Sequence, residues 1–131
     1  MTFNVTPPRQ ILPVLQKIKD SYLFWHNYHQ TMPKTQKYSL GVKIDNLFTE
    51  IIEAVVTAGF LKRNEKIPYV HKAIQKLDTL KIFLMILWET KTLNNKKYAT
   101  LSILLDEIGK MLGGWHGQLL KQNSPEDLGE K

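Results

Sequence analysis

Apolar residues recur along this chain at helical spacing in four long blocks separated by short polar connections. The first block predicts a helix from about Ile11 to Gln30, with Leu12, Leu15, Ile18, Tyr22, Trp25 and His29 on one stripe. Pro13 fits its first turn, where a missing N–H costs little. Thr31 to Tyr38 is a polar connection, and Ser39 is placed to cap the next helix. That second helix runs from about Leu40 to Leu61 with Ile44, Leu47/Phe48, Ile51 and Val55 inward, and Lys62 to Lys66 form a charged corner. The third runs from about Pro68 to Leu93, Asn94-Asn95 turn the chain, and the fourth runs from about Tyr98 to Lys121. Helices of this length, joined by short loops, predict an all-α, antiparallel up-down-up-down four-helix bundle, each helix roughly 30–39 Å long.

Two stretches exceed what a bundle core needs. In Leu80 to Trp88 every residue but Lys81 is apolar, so the helix is greasy nearly all round. Leu80, Leu84 and Leu87 suffice for the core, which leaves Ile82, Phe83, Met85 and Ile86 to be hidden by a subunit or partner. The competing reading is a central helix buried from several sides. The fourth helix carries Gly109, Gly113, Gly114 and Gly117, each costing about 1 kcal/mol relative to alanine in a helix interior. Such glycines fit the close approach of another backbone beside Trp115; the alternative is that Gly113-Gly114 end the helix.

Composition narrows the class. At 131 residues with 43% hydrophobic and 23% charged residues, the chain reads as one globular domain spanning 1–131. Its core covers about 10–121, with flexible tails expected at 1–8 and 122–131. No apolar run approaches the length of a membrane span, and no export signal is visible at the start, so no membrane contact is expected. Zero cysteines exclude disulfides and thiolate chemistry and are compatible with a cytoplasmic location. The net charge is +6; the last ten residues hold three acids and one base, so residues 1–121 carry 17 basic and 9 acidic groups. A body that basic attracts polyanions.

Catalytic chemistry is hard to assemble from these residues. His26 and His29 are three apart on the first helix without a third ligand nearby, and read as one packed edge and one surface imidazole rather than a metal pair. No Glu-x-x-His occurs, so the di-metal bundle pattern is missing. Glu50 and Glu53 flank the inward stripe and read as solvated, while Asp78, Asp106 and Glu107 could meet lysines of adjacent helices. Ser39, Thr79 and Ser102 lack a His/acid arrangement. No catalytic residue, metal site or cofactor is expected, and the chain reads as a non-enzyme.

The cations are more informative. Lys34, Lys37 and Lys43 cluster at the first corner, Lys62, Arg63 and Lys66 at the second, and Lys72 and Lys76 stand one turn apart on the third helix, followed by Lys81. Sixteen of the eighteen are lysine, which holds phosphates as a point charge, whereas bidentate reading of guanine edges favours arginine. Nucleic acid held by this set would be gripped by its backbone, with strong salt dependence and little sequence preference. The plainer reading is a solvated face.

Two segments carry a specific likeness. Met32-Pro-Lys-Thr-Gln-Lys-Tyr-Ser-Leu-Gly-Val-Lys-Ile44 resembles a Phe-Pro-Arg-x-x-Arg-x-x-Leu-Gly-x-Arg-Ile loop and helix start. Leu105-Asp-Glu-Ile-Gly-Lys-Met-Leu-Gly-Gly-Trp115 resembles a Leu-x-Glu-Ile-Gly-Arg-Met-Leu-Gly-Gly-Trp closing motif. Both patterns belong to the Avd family, the accessory variability determinant of diversity-generating retroelements, related to four-helix proteins encoded in ribosomal RNA intervening sequences. The resemblance spans about residues 10–121. It implies a cyclic homo-oligomer, a pentameric barrel of four-helix protomers, that acts with a reverse transcriptase and binds RNA or DNA in mutagenic copying of a template. By position, Lys34, Lys37, Lys43 and Lys110 stand where the family commonly has arginine. A basic pair of the family's third helix falls at Lys81 and Met85, and only the first is basic here.

The sequence therefore predicts nucleic-acid contacts at Lys34, Lys37, Lys43, Lys62, Arg63, Lys66, Lys72, Lys76 and Lys81. It predicts subunit contacts at Ile82, Phe83, Met85, Ile86, Gly109, Gly113, Gly114 and Trp115. The alternative function is a structural, protein-binding bundle with no nucleic-acid role.

Overall fold

A computed structural model describes residues 11–122, and all of its regular structure is helical. The helices are α1 (Leu12–Thr31), α2 (Lys34–Lys37), α3 (Leu40–Phe60), α4 (Arg63–Glu89) and α5 (Asn95–Gln122). The two expected flexible tails lie outside the described residues, except that Gln122 ends α5.

The four long helices pack in a closed ring, α1 against α3, α3 against α4, α4 against α5, and α5 back against α1. In two of these pairs the contacts run in opposite residue order. Ile11 meets Gly59 while His29 meets Gly41; His71 meets His116 while Trp88 meets Tyr98. The core is the inward stripe of each helix. Ile18 and Trp25 of α1, Ile44, Phe48, Ile51 and Val55 of α3, Leu77, Leu80, Leu84 and Leu87 of α4, and Leu101, Leu105, Ile108 and Leu112 of α5 are all buried. Burying each such side chain is worth about 1.5–3 kcal/mol, which is why the 3.6-residue period decides the fold.

The connections differ from expectation in physically readable ways. The polar stretch after α1 contains the one-turn α2, started by Pro33, whose carbonyl accepts from Gln36 N (3.0 Å) and Lys37 N (2.8 Å). Four polar residues carry no apolar period, so nothing in the pattern marks this turn. Ser39 stands at the N-cap of α3, but its hydroxyl donates backward to Thr35 O (2.9 Å) and does not cap.

The corner at Lys62 to Lys66 is mostly helix, because α4 starts at Arg63 and carries Pro68 inside its second turn. Lys66 stabilises that early start. Its ammonium donates to Ala58 O (2.8 Å) and Gly59 O (3.4 Å), satisfying carbonyls left over at the end of α3. At the other end α4 stops at Glu89, with Lys91 in the left-handed region (φ 65°) and Leu93 N returning to Leu87 O (3.1 Å). Asn94 then caps α5, its Oδ1 accepting from Lys97 N (2.8 Å).

Close approach involves different glycines from those expected. A Cβ on Gly41 would lie 2.8 Å from His29 Nε2, and one on Gly59 would lie 2.6 Å from Ile11 Cδ1. On α5 the helix runs unbroken through its glycines, yet among the described residues a Cβ at Gly113, Gly114 or Gly117 would meet nothing within 4 Å. Gly109 is in ordinary contact with α4, 3.5 Å from Leu77 Cδ2 and from Lys81 Nζ. No described helix of the protomer packs against Gly113, Gly114 or Gly117.

Candidate nucleic-acid interface

Among the lysines, two groups stand out by what the neighbouring helices present to them. At the waist of the bundle, cations face carboxylates on neighbouring helices. Lys76 pairs with Glu50 (3.1 Å), Lys81 with Asp106 (3.2 Å) and Lys17 with Glu107 (2.7 Å). Hydrogen bonding and charge from Glu107 hold the Lys17 ammonium above its ordinary pKa. Glu50, expected to be simply solvated, is thus the partner of Lys76. Lys72 is exposed on the outer face of α4 with no ion pair among the described residues.

Lys66 differs from the other corner lysines. It is 8% exposed, two of its three ammonium donors are engaged by α3 carbonyls, and burial pushes its pKa down. It is held inside the protomer more firmly than a free surface lysine.

The second group sits at the end of the bundle where α1 and α4 finish and α3 and α5 begin. The two corners meet there: Tyr28 of α1 donates its phenol hydroxyl to Thr92 O of the α4–α5 turn. Lys97 holds its ammonium 5.9 Å from the Tyr28 ring centroid. Lys34, Lys37 and Lys43 from one corner thereby join Lys91, Lys96 and Lys97 from the other. None of these six makes an ion pair among the described residues.

The first corner is held by His29. Its ring stacks on the fully buried Trp25 at 5.1 Å, and Nε2 lies 3.1 Å from Lys37 O. A carbonyl only accepts, so Nε2 carries the proton. Nδ1 faces Asp45 Oδ1 at 3.9 Å, and that oxygen is buried without a hydrogen-bond partner among the described residues. Burial first, and Asp45 second, raise the pKa of the neighbouring Tyr22 phenol. Gly41 leaves room for the imidazole, so α2 and its lysines are seated on a packed histidine. His26 does not join it in a metal site; among the described residues no cluster of three metal-ligating side chains occurs.

Two partly exposed aromatic rings belong to the same two corners. Tyr38, at the C-cap of α2, is 67% exposed with the Lys37 ammonium 5.7 Å from its centroid. Trp88 is 39% exposed, yet its ring is fixed by stacking on Tyr98 (4.9 Å, 11°) and by donating Nε1–H to Asn95 Oδ1 (2.6 Å).

Lys91, Lys96, Lys97, Tyr38 and Trp88 were not picked out by sequence reasoning, because the two corners are some fifty residues apart. The available signal was the antiparallel order itself, which places alternate corners at one end.

At the opposite end, Lys62 and Arg63 are exposed. Arg63, Lys66 and Lys110 share an open groove of about 490 Å³ with Gly114 and Trp115. Among the expected subunit contacts, Ile82 (53% exposed) and Ile86 face outward. Phe83 and Met85 are half-buried, and Phe83 packs in part on the protomer's own core. Ile103 on α5, 60% exposed, is a further outward apolar residue. Among the described residues no helix is long and apolar enough to cross a membrane.

The model of the bAvd-like family matches residues 12–119. No match was found among curated proteins or among solved structures. The family match covers all four long helices and both motifs singled out in the sequence, and the chain belongs to the bAvd-like family.

Proposed function

We propose that this bAvd-like chain is a non-enzymatic accessory subunit of a diversity-generating retroelement. In this reading it binds the element's reverse transcriptase and RNA or DNA, and supports mutagenic reverse transcription in the cytoplasm. Its protomer is an up-down-up-down four-helix bundle, assembled as a cyclic homo-oligomer, with a pentamer implied by resemblance. The observation that carries the proposal is the basic end: six lysines without carboxylate partners among the described residues, in a family of accessory proteins. Cyclic assembly would repeat that patch once per subunit and add the fields. Ile82, Ile86 and the open glycine face of α5 supply surface for subunit contact, and the lysine chemistry favours phosphates over base edges.

Co-expression with a reverse transcriptase encoded beside this gene, followed by affinity capture, tests the proposal. Stoichiometric recovery of the enzyme together with nucleic acid is expected. A protein that captures neither, and stays monomeric at micromolar concentration, would return the chain to a plain structural bundle.

A further inference from the structure

The basic end differs from an ordinary solvated lysine face in holding pre-set aromatic rings. Trp88 is anchored by its Asn95 hydrogen bond and its Tyr98 stack, and still leaves more than a third of its surface open. Tyr38 projects further from a corner seated on His29. Exposed aromatic residues usually lose conformational freedom when they grip a ligand; the Trp88 ring has already lost it. Lys37 holds its ammonium 5.7 Å from the Tyr38 centroid, and Lys34, Lys91, Lys96 and Lys97 belong to the same two chain corners, which Tyr28 ties together.

We propose that this end is a site for single-stranded polynucleotide, RNA or DNA, whose bases stack on Tyr38 and Trp88 while the lysines hold its phosphates. The proposal rests on the nucleic-acid reading above and adds strandedness to it. Duplex would engage the lysines alone, because a paired base offers no face to a protein ring. The near absence of arginine fits the same picture, since neither guanine edges nor bidentate phosphate forks are needed. Sequence preference is weak, because every base has a stackable face.

The test is a titration of the full chain with labelled 20-nucleotide single strands of DNA and RNA, and with the matching duplexes, over a salt series. Single strands bind more tightly than duplexes. Tyr38→Ala lowers single-strand affinity about fivefold or more, with the duplex affinity and the salt slope unchanged. Tyr38→Phe binds as the parent does. The fluorescence of Trp88 is quenched by the single strand, a change lost in Trp88→Phe. Equal or tighter duplex binding, or a Tyr38→Ala protein that keeps full single-strand affinity, overturns the stacking site and leaves the basic surface standing. Failure to bind any of the four probes at low salt overturns the nucleic-acid reading itself.

Discussion

Lys76 and Lys81 at the waist and Lys34 and Lys96 at the end are the same residue type on helices of the same bundle. They differ in what the neighbouring helix presents. At the waist, Glu50 and Asp106 stand within 3.2 Å and cancel the charge. At the end, loops and helix starts bring together lysines, aromatic rings and backbone carbonyls, with Asp45 turned inward towards His29. Overall charge is therefore a poor guide to where a basic bundle binds. What matters is which cations lack a local carboxylate, and that depends on how the helices pair.

The largest expected effect comes from unseating the end. Gly41→Ala places a methyl 2.8 Å from His29 Nε2, so the imidazole and α2 must shift. We expect a loss of about 1–3 kcal/mol in denaturant unfolding, with weakened nucleic-acid binding because Lys34 and Lys37 move with α2. Unchanged stability would show that the His29 seat is loose. A smaller effect, of opposite sign, is expected on α5. Gly113→Ala meets nothing among the described residues and should add about 1 kcal/mol to protomer stability through helix propensity. If the glycine face builds the oligomer, the same change weakens assembly in analytical ultracentrifugation. Stabilisation with intact assembly would remove Gly113 from the interface.

The waist can be turned towards the behaviour of the end. Glu50→Gln with Asp106→Asn frees Lys76 and Lys81 at a stability cost of about 1 kcal/mol or less, since the pairs are substantially exposed. Affinity for a single strand should rise several-fold at low salt, and the gain should fade as salt rises. No gain would mean that these lysines lie away from the bound strand. The smallest signal belongs to Lys66. Burial lowers its pKa, so the unfolded chain holds that proton more tightly than the folded one. Its contribution to stability therefore increases as pH rises through the window below 10.5, a gain that Lys66→Met lacks in paired unfolding curves.

Much of this architecture was legible in the chain. Leu77, Leu80, Leu84 and Leu87 repeat at helical spacing and are buried, and the four long helices start and stop within a few residues of the pattern. What escaped were contacts between segments distant in sequence. Lys66 looks like any corner lysine until the end of α3 brings its carbonyls alongside. Gly59 looks unremarkable until Ile11 packs on it, whereas Gly113, Gly114 and Gly117 of α5 face no other described residue within 4 Å. The end cluster is invisible as a motif because Tyr28 and Thr92 join corners that local spacing cannot relate.

The central claim is that the end, and not the waist, holds nucleic acid. Salt-dependent titration of a single-stranded oligonucleotide against Lys34→Gln/Lys96→Gln and against Lys76→Gln/Lys81→Gln tests it most directly. The end variant should lose affinity on the order of tenfold near 0.1 M salt, and its log–log salt slope should shrink by about 1.4, or two phosphate contacts. The waist variant, which leaves Glu50 and Asp106 unpaired, should lose only a fewfold in affinity through that added negative charge and keep the parent's salt slope. A waist variant that loses as much as the end variant, or an end variant that binds like the parent, would contradict the account.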